Sequence, residues 1–225
     1  MDLKIIEGVL NFREKVYPER KDLFGTLANG QSPHVLFITC SDSRIDPNLV
    51  TSADPGDLFI CRNAGNIIPP HSTETGGMTA SVEYAVAVLG VEDIVICGHT
   101  DCGAIKGALN VEQLKGLPHV KEWLSHCRSA MEIVRERNGI DSEACIGHEH
   151  LGEAIEENVL QQLQHLRTHP AVAAKLATGK VRLHGWVYDI EKGEIRCSDG
   201  GPFTDFQELY AAEVTAVNER RFFSK

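Results

Sequence analysis

The chain is 225 residues long, 42% apolar and 24% charged, with 22 basic against 32 acidic side chains and a formal charge of −10. That length buries a sizeable core in one domain, the acidic balance argues against a nucleic-acid or anionic-membrane partner, and no apolar run approaches the ~20 residues of a membrane span. The opening Met1-Asp2-Leu3-Lys4-Ile5-Ile6-Glu7-Gly8 has neither a basic n-region nor a long apolar stretch, so no secretory signal is expected; the seven cysteines are then expected reduced in a cytoplasm, as ligands or core residues.

In chain order, Ile5, Ile6, Val9, Leu10 and Val16 fall at helical spacing and predict an amphipathic helix interrupted at Pro18. A first strand is expected over Val35–Thr39 and a second over Leu58–Cys61, introduced by the turn Asp54-Pro55-Gly56-Asp57. Between Gly77 and Gly90, residues Val82, Ala85, Val86 and Leu89 share one helical face, and Ile94–Cys97 makes a third strand. Near-continuous apolar runs separated by helices point to a parallel sheet covered on both faces. The second half is more helical. Val120, Trp123, Leu124, Cys127, Met131 and Val134 form one stripe ending near Gly139, and Ile155, Val159, Leu163 and Leu166 another, stopped by His169-Pro170. Residues 181–190 alternate as a strand, and Glu191-Lys192-Gly193 turns into a further strand over Glu194–Cys197. The residues from Gly200 onward carry no pattern.

Two short motifs follow the first and third strands: Cys40-Ser41-Asp42-Ser43-Arg44 and Gly98-His99-Thr100-Asp101-Cys102-Gly103. Ligands of open α/β sheets bind beyond the carboxyl ends of strands, where both motifs sit, so the two can converge. Together they offer two thiolates, an imidazole and a carboxylate, a set suited to Zn²⁺ and not to Mg²⁺ or Ca²⁺. Each half alone is weak, since a lone His-x-x-Cys is mostly accidental and a lone cysteine after an apolar run is mostly a buried small residue. The conjunction is far more specific. A closed structural zinc would take Cys40, Asp42, His99 and Cys102; a catalytic zinc keeps three protein ligands and a water. Two thiolates already neutralise the dication, so Asp42 as a further ligand makes the site anionic. Arg44, two residues on, offers that carboxylate a bidentate alternative. An aspartate moving between metal and arginine would open and close the water position. A phosphate-cradling Cys-x5-Arg loop would need arginine where Asp46 stands, and no Cys-x-x-Cys redox pair is present.

These residues resemble those of the β-class carbonic anhydrases. The likeness extends over Arg62-Asn63-Ala64-Gly65-Asn66, Glu83-Tyr84-Ala85-Val86, Cys97–Gly103, Glu157-Asn158-Val159 and His184–Tyr188, roughly residues 1–200. It implies one zinc per subunit on Cys40, His99 and Cys102, with Asp42 either a fourth ligand or paired with Arg44. It implies reversible hydration of carbon dioxide to bicarbonate and a proton by attack of zinc-bound hydroxide, the metal lowering its water's pKa to ~7. Asp42, held by Arg44, would orient the hydroxide, and the Gly103 N–H would steady the developing bicarbonate. In the plant-type branch the carbon dioxide pocket is lined by positions that fall here on Gln31, Phe59, Ala64 and Tyr84, with Ala64 replacing a valine. The place of that branch's proposed proton-moving histidine is Val88, leaving His71, His148 and His150 as candidates because histidine titrates near neutrality. Phe37 stands where another branch has the tryptophan of a locking bicarbonate site, so no such lock is expected. The segments Gly30–Pro33 and Leu183–Ile190 look most like the bacterial enzymes that accompany cyanase.

The implied fold is α/β: a four-stranded parallel sheet with a fifth, antiparallel edge strand, flanked by helices. One domain over 1–225 would comprise an N-terminal helical arm (1–30) packed on a partner subunit, a zinc-binding core (31–200) and a C-terminal tail (201–225), with a homodimer as the minimum assembly. Two other functions remain open at this level: hydrolysis of carbonyl sulfide or carbon disulfide on the same scaffold, and a non-enzymatic protein with a closed zinc site.

Overall fold

The computed structural model describes residues 1–73, 75–142 and 144–223. Its centre is a sheet whose strands are β1 (Val35–Cys40), β2 (Leu58–Asn63), β3 (Asp93–His99), β4 (Arg182–Tyr188), β5 (Ile195–Ser198) and β6 (Thr204–Asp205). Their order is β2-β1-β3-β4-β5-β6, with the first four parallel and the last two pairs antiparallel. The four parallel strands and the antiparallel fifth are as expected. The two-residue β6 is an addition: Thr204 and Asp205 lie in the stretch without sequence pattern, and so short a strand carries no alternation to read. Between β4 and β5 the Asp189 carboxylate accepts the N–H groups of Glu191 and Lys192, and Gly193 (φ 69°) closes the turn.

Before the sheet come α1 (Leu3–Asn11), α2 (Tyr17–Glu19) and α3 (Lys21–Leu27). The interruption expected at Pro18 does not occur there. A π turn over Phe12–Val16 joins α1 to α2, with the Tyr17 N–H reaching Phe12 O. Pro18 follows directly on that π turn, in the first turn of α2, and the helical path yields only at Arg20 (φ −117°). The Ser41–Asp57 connection holds α4 (Pro47–Thr51), and α5 (Gly77–Glu83) runs through a π turn to Gly90, whose φ of 72° ends it.

After β3 follow α6 (Gly103–Leu109), α7 (Pro118–Leu124), α8 (Arg128–Asn138), α9 (Leu151–Thr168) and α10 (Pro170–Ala177). The stripe expected from Val120 to Val134 is two helices, because a 3₁₀ turn at Ser125–Cys127 lets Leu124 and Cys127 both reach the core. The expected tail forms α11 (Phe206–Leu209) and α12 (Ala211–Phe223); Ser224 and Lys225 lie outside the described residues.

Alternation along β1 and β3 splits the apolar residues between two faces. Leu36, Ile38, Ile94 and Ile96 join the main core with Ile155, Val159 and Leu163 of α9. Helix and sheet approach closely because two neighbouring strands carry glycine there. A Cβ on Gly98 or on Gly185 would come within 2.9 Å of the Val159 side chain. The other face holds a smaller cluster around Phe37, Ile45, Val95 and Cys97. Beside it opens a cavity of about 1040 Å³, floored by Val35, Phe37 and Trp186 and flanked by Val214 and Val217 of α12. The apolar face of α1 lies bare: Leu3 is 73% exposed, Ile5 55% and Val9 62%.

Candidate metal centre and active site

The chain leaves β1 for β2 on one side and returns to place β3 on the other. The β1/β3 boundary is therefore the switch point at which strand order reverses. Cys40 ends β1 and His99 ends β3. Cys102, one short turn later, is the N-cap of α6. The two sulfurs stand 3.9 Å apart, and one ligand atom each from Cys40, His99 and Cys102 lies within 4.8 Å of the others. Tetrahedral zinc with ~2.3 Å bonds to sulfur would set two thiolates about 3.8 Å apart, so the spacing fits.

His99 is fully buried, and its Nδ1 lies 2.8 Å from the Thr100 carbonyl, to which it donates. That bond fixes the tautomer and turns the lone pair of Nε2 toward the sulfurs. Nε2 is a buried atom with no hydrogen-bond partner, as a metal-binding nitrogen requires. The thiols point the same way. A hydrogen bond from Cys102, with help from His99 and the Gly65 and Asp42 N–H groups, outweighs burial and pulls the Cys40 thiol down to about 4. Cys102, bonded to that thiolate and buried, is pushed far up. Burial pushes His99 down, but its contacts with Cys40, the Thr100 carbonyl and Asp42 prevail and raise it. Two thiolates this close need a cation between them, and a dication supplies the missing charge. The residues present fit zinc.

Asp42 stands at the rim, its Oδ2 3.8 Å from His99 Nε2. Arg44 grips it bidentately, Nε to Oδ1 at 2.9 Å and NH2 to Oδ2 at 2.8 Å, and the Arg44 backbone N–H adds a third bond at 3.0 Å. The Arg44 guanidinium accordingly holds this carboxyl well below the usual carboxylate range. The far side of Arg44 meets Asp101: NH1 donates to Oδ2 at 3.0 Å and NH2 to the Asp101 carbonyl at 3.2 Å. Lys106 pairs with the other Asp101 oxygen. Beneath them Arg62 ties the strand end down, donating to the carbonyls of Cys40, Asp42 and Ile45.

The loop after β2 completes the surroundings of Cys40. The Gly65 N–H lies 3.4 Å from Cys40 Sγ. Gly65 O accepts from Asn158 Nδ2 at 3.0 Å, Asn158 Oδ1 accepts from Gln162 Nε2 at 3.0 Å, and Gln162 Oε1 accepts the Ile68 N–H at 2.8 Å. This buried amide ladder on α9 holds the loop from behind, and Asn63 brackets it from within through two bonds to Ile67. Of these groups, Arg62, Asn63, Gly65 and Asn158 stand inside motifs quoted from the sequence. Asp101 lay between two ligands unremarked, and Gln162 and Lys106 had no signal.

The expected pocket residues separate into two groups. Ala64 and Gly103 lie at the ligand end; Gly103 opens α6 with nothing within 4 Å of where a Cβ would stand, and the Ala64 carbonyl accepts from Trp123. Phe59 and Tyr84 pack on each other with ring centroids 6.1 Å apart. Phe59 is paired with Leu36, four rungs before the Cys40–Asn63 pair, or about 13 Å along the strand at ~3.3 Å per residue. Gln31 is exposed ahead of β1, at the opposite end of the sheet from the ligands. Val88 is 65% exposed. Among the histidine candidates, His148 and His150 lie in a 3₁₀ turn leading into α9, and His71 stacks edge-on against His169. Phe37 is buried and packs edge-on against Trp186.

A family model described as carbonic anhydrase matches residues 35–195. A carbonic anhydrase of Pseudomonas aeruginosa is 50% identical over 219 residues, 95% of this chain and 94% of that protein. Among solved structures, the β-carbonic anhydrase CcaA superimposes with a TM-score of 0.85 at 43% identity, covering 90% of this chain and 98% of that one. Two tetrameric β-carbonic anhydrases of the ascomycete Sordaria macrospora are represented by a chain with a TM-score of 0.75 at 29% identity, covering 89% of this chain and 97% of that one.

Proposed function

Since this chain belongs to the β class of the carbonic anhydrase family, we propose that it catalyses the reversible hydration of carbon dioxide to bicarbonate and a proton, with Asp42 and Arg44 as its working pair. The observation that carries the reading is the buried Cys40–His99–Cys102 group with an unpartnered imidazole nitrogen and a carboxylate held just clear of it. Cys40, His99 and Cys102 would hold zinc, which when bound would supply the nucleophile by lowering the pKa of a water to ~7. Asp42, kept anionic by Arg44, accepts a hydrogen bond at that position and orients a lone pair toward the substrate carbon. Arg44 also keeps the carboxylate from becoming a ligand. The Gly103 N–H, at the exposed start of α6, is the donor best sited for a bicarbonate oxygen.

Phe59 and Tyr84 are too far along the sheet to wall the pocket of their own chain, yet Phe59 lies in the open edge strand β2 and Tyr84 packs on it. We infer that with Gln31 they wall the pocket of a second copy, which makes a dimer the smallest complete enzyme. Among the described residues no helix is long and apolar enough to cross a membrane. A cytoplasmic site of action, and bicarbonate supply beside cyanate breakdown as the physiological task, complete the proposal. Neither the relatives nor the site favours carbonyl sulfide or carbon disulfide hydrolysis or a closed structural zinc. Stopped-flow carbon dioxide hydration by the zinc-loaded protein tests the reading: turnover well above the buffer rate is expected, and a zinc-loaded protein that leaves the rate at background overturns it.

A further inference from the structure

We propose that Asp101 is a positioning residue: it holds Arg44 against Asp42 and so keeps the fourth metal position open. The inference rests on the reading above that Asp42 passes between Arg44 and the metal. A guanidinium has five N–H donors on a planar fork. Arg44 spends one edge on Asp42, and the N–H groups on the far side meet Asp101 twice, at its carboxylate and at its carbonyl. A single residue offers both acceptors to one guanidinium because Asp101 adopts a left-handed backbone, φ 60°. Aspartate is among the few non-glycine residues that tolerate this region. Lys106 takes Oδ1, leaving Oδ2 for Arg44. Lys106 belongs to α6, which starts directly after Cys102, so the clamp is carried by the same segment that presents two ligands.

The consequence concerns a choice between two partners. Asp42 Oδ2 is 3.8 Å from His99 Nε2, so it lies within a side-chain rotation of the metal position. How often it makes that rotation depends on how well Arg44 is held in place to receive it. Arg44 is a long side chain, 42% exposed, and without the Asp101 carboxylate its outer edge keeps only the bond to the residue-101 carbonyl. Ion pairs this exposed add little to fold stability, so the value of this one lies in the orientation it imposes.

The test uses the full chain loaded with zinc, or with Co²⁺ for spectroscopy. Asp101→Gly removes the side chain and accepts a positive φ without strain; Asp101→Asn removes the charge and keeps an acceptor for NH1. Azide, which can bind only an open metal position, reports the open fraction through the visible spectrum of the Co²⁺ protein. Azide affinity is expected to fall about tenfold in Asp101→Gly, with a similar or larger fall in kcat, the scale for losing a group that orients a metal site's partners. Crystals of zinc-loaded Asp101→Gly should show Asp42 turned onto the metal, Asp101→Asn should recover most of the azide affinity, and the melting temperature should hardly change. Asp101→Gly with Asp42 still on Arg44 and unaltered azide affinity overturns the proposal. Should the parent bind azide but fail to hydrate carbon dioxide, the functional reading falls while the azide comparison still judges the clamp.

Discussion

His99 is a buried imidazole whose Nδ1 is tied to Thr100 while Nε2 has no hydrogen-bond partner. An unsatisfied buried polar atom costs about 1–3 kcal/mol, and beside it two thiols share a site that tolerates only one charge without a cation. Metal binding relieves both, so zinc should stabilise the fold as well as activate it. Removing it with a strong chelator should lower the melting temperature, and adding it back should restore the original value; a scanning-calorimetry trace indifferent to zinc would contradict this. At the rim the expectation is sharper. Asp42→Asn keeps the shape but loses the anion, and hydration should fall ~10²-fold, the scale of one positioned catalytic group, with zinc content unchanged by metal analysis. That Cys40, His99 and Cys102 come together was readable in the sequence, since only a few residue types bind zinc and two apolar runs pointed them to one place. Asp101 and Gln162 were not, because nothing in a carboxylate or an amide says which distant donor the fold will bring to it.

At the scale of elements, α9 is the part that sets the height of everything above the sheet. Val159 sinks between Gly98 and Gly185, and one residue earlier Asn158 reaches Gly65, whose N–H lies on Cys40 Sγ. A methyl group on β4 at this point must lift the helix. Gly185→Ala should therefore destabilise the protein by about 1–3 kcal/mol, the usual cost of overpacking, read by chemical denaturation. A second clasp joins β3 to β4. Asp93 bonds Arg182 at 2.8 and 2.7 Å and His184 at 2.7 Å. Burial works to raise this carboxyl, but its bonds to Arg182 and His184 outweigh it and lower it. A carboxylate depressed by folding contributes stability that is full above its unfolded pKa of ~3.9 and is lost as the pH falls through the folded value. The stability advantage of the parent over Asp93→Asn should thus be constant near neutrality and shrink in acid below about pH 4; a gap that widens in acid would refute the assignment. Strand and helix positions were legible from hydrophobic period, because this sheet is buried and its helices are one-sided. The details that escaped, the π turn before Pro18 and the break at Ser125–Cys127, are local changes of helical pitch that leave the apolar spacing almost intact.

For the whole molecule, the telling features are those the single chain leaves unfinished. The bare face of α1 and the open edge of β2 are the surfaces that a second copy would cover under the proposed assembly. Charges placed in the apolar face of α1, as in Ile5→Glu with Val9→Glu, should shift the protein toward smaller species in sedimentation velocity without unfolding the sheet; an unchanged sedimentation coefficient would show that the arm takes no part in assembly.

The four rungs between Phe59 and Cys40 have a genetic consequence. If one chain brings the metal and the other brings the aromatic wall, a defect in either part spoils a different half of each shared site. A Cys40→Ala chain and a Tyr84→Ala chain, each nearly inert alone, would form mixed pairs in which one of the two sites receives an intact contribution from both sides. Co-expression of the two variants should then rescue turnover that neither gives separately, as two faulty alleles complement one another in a cross.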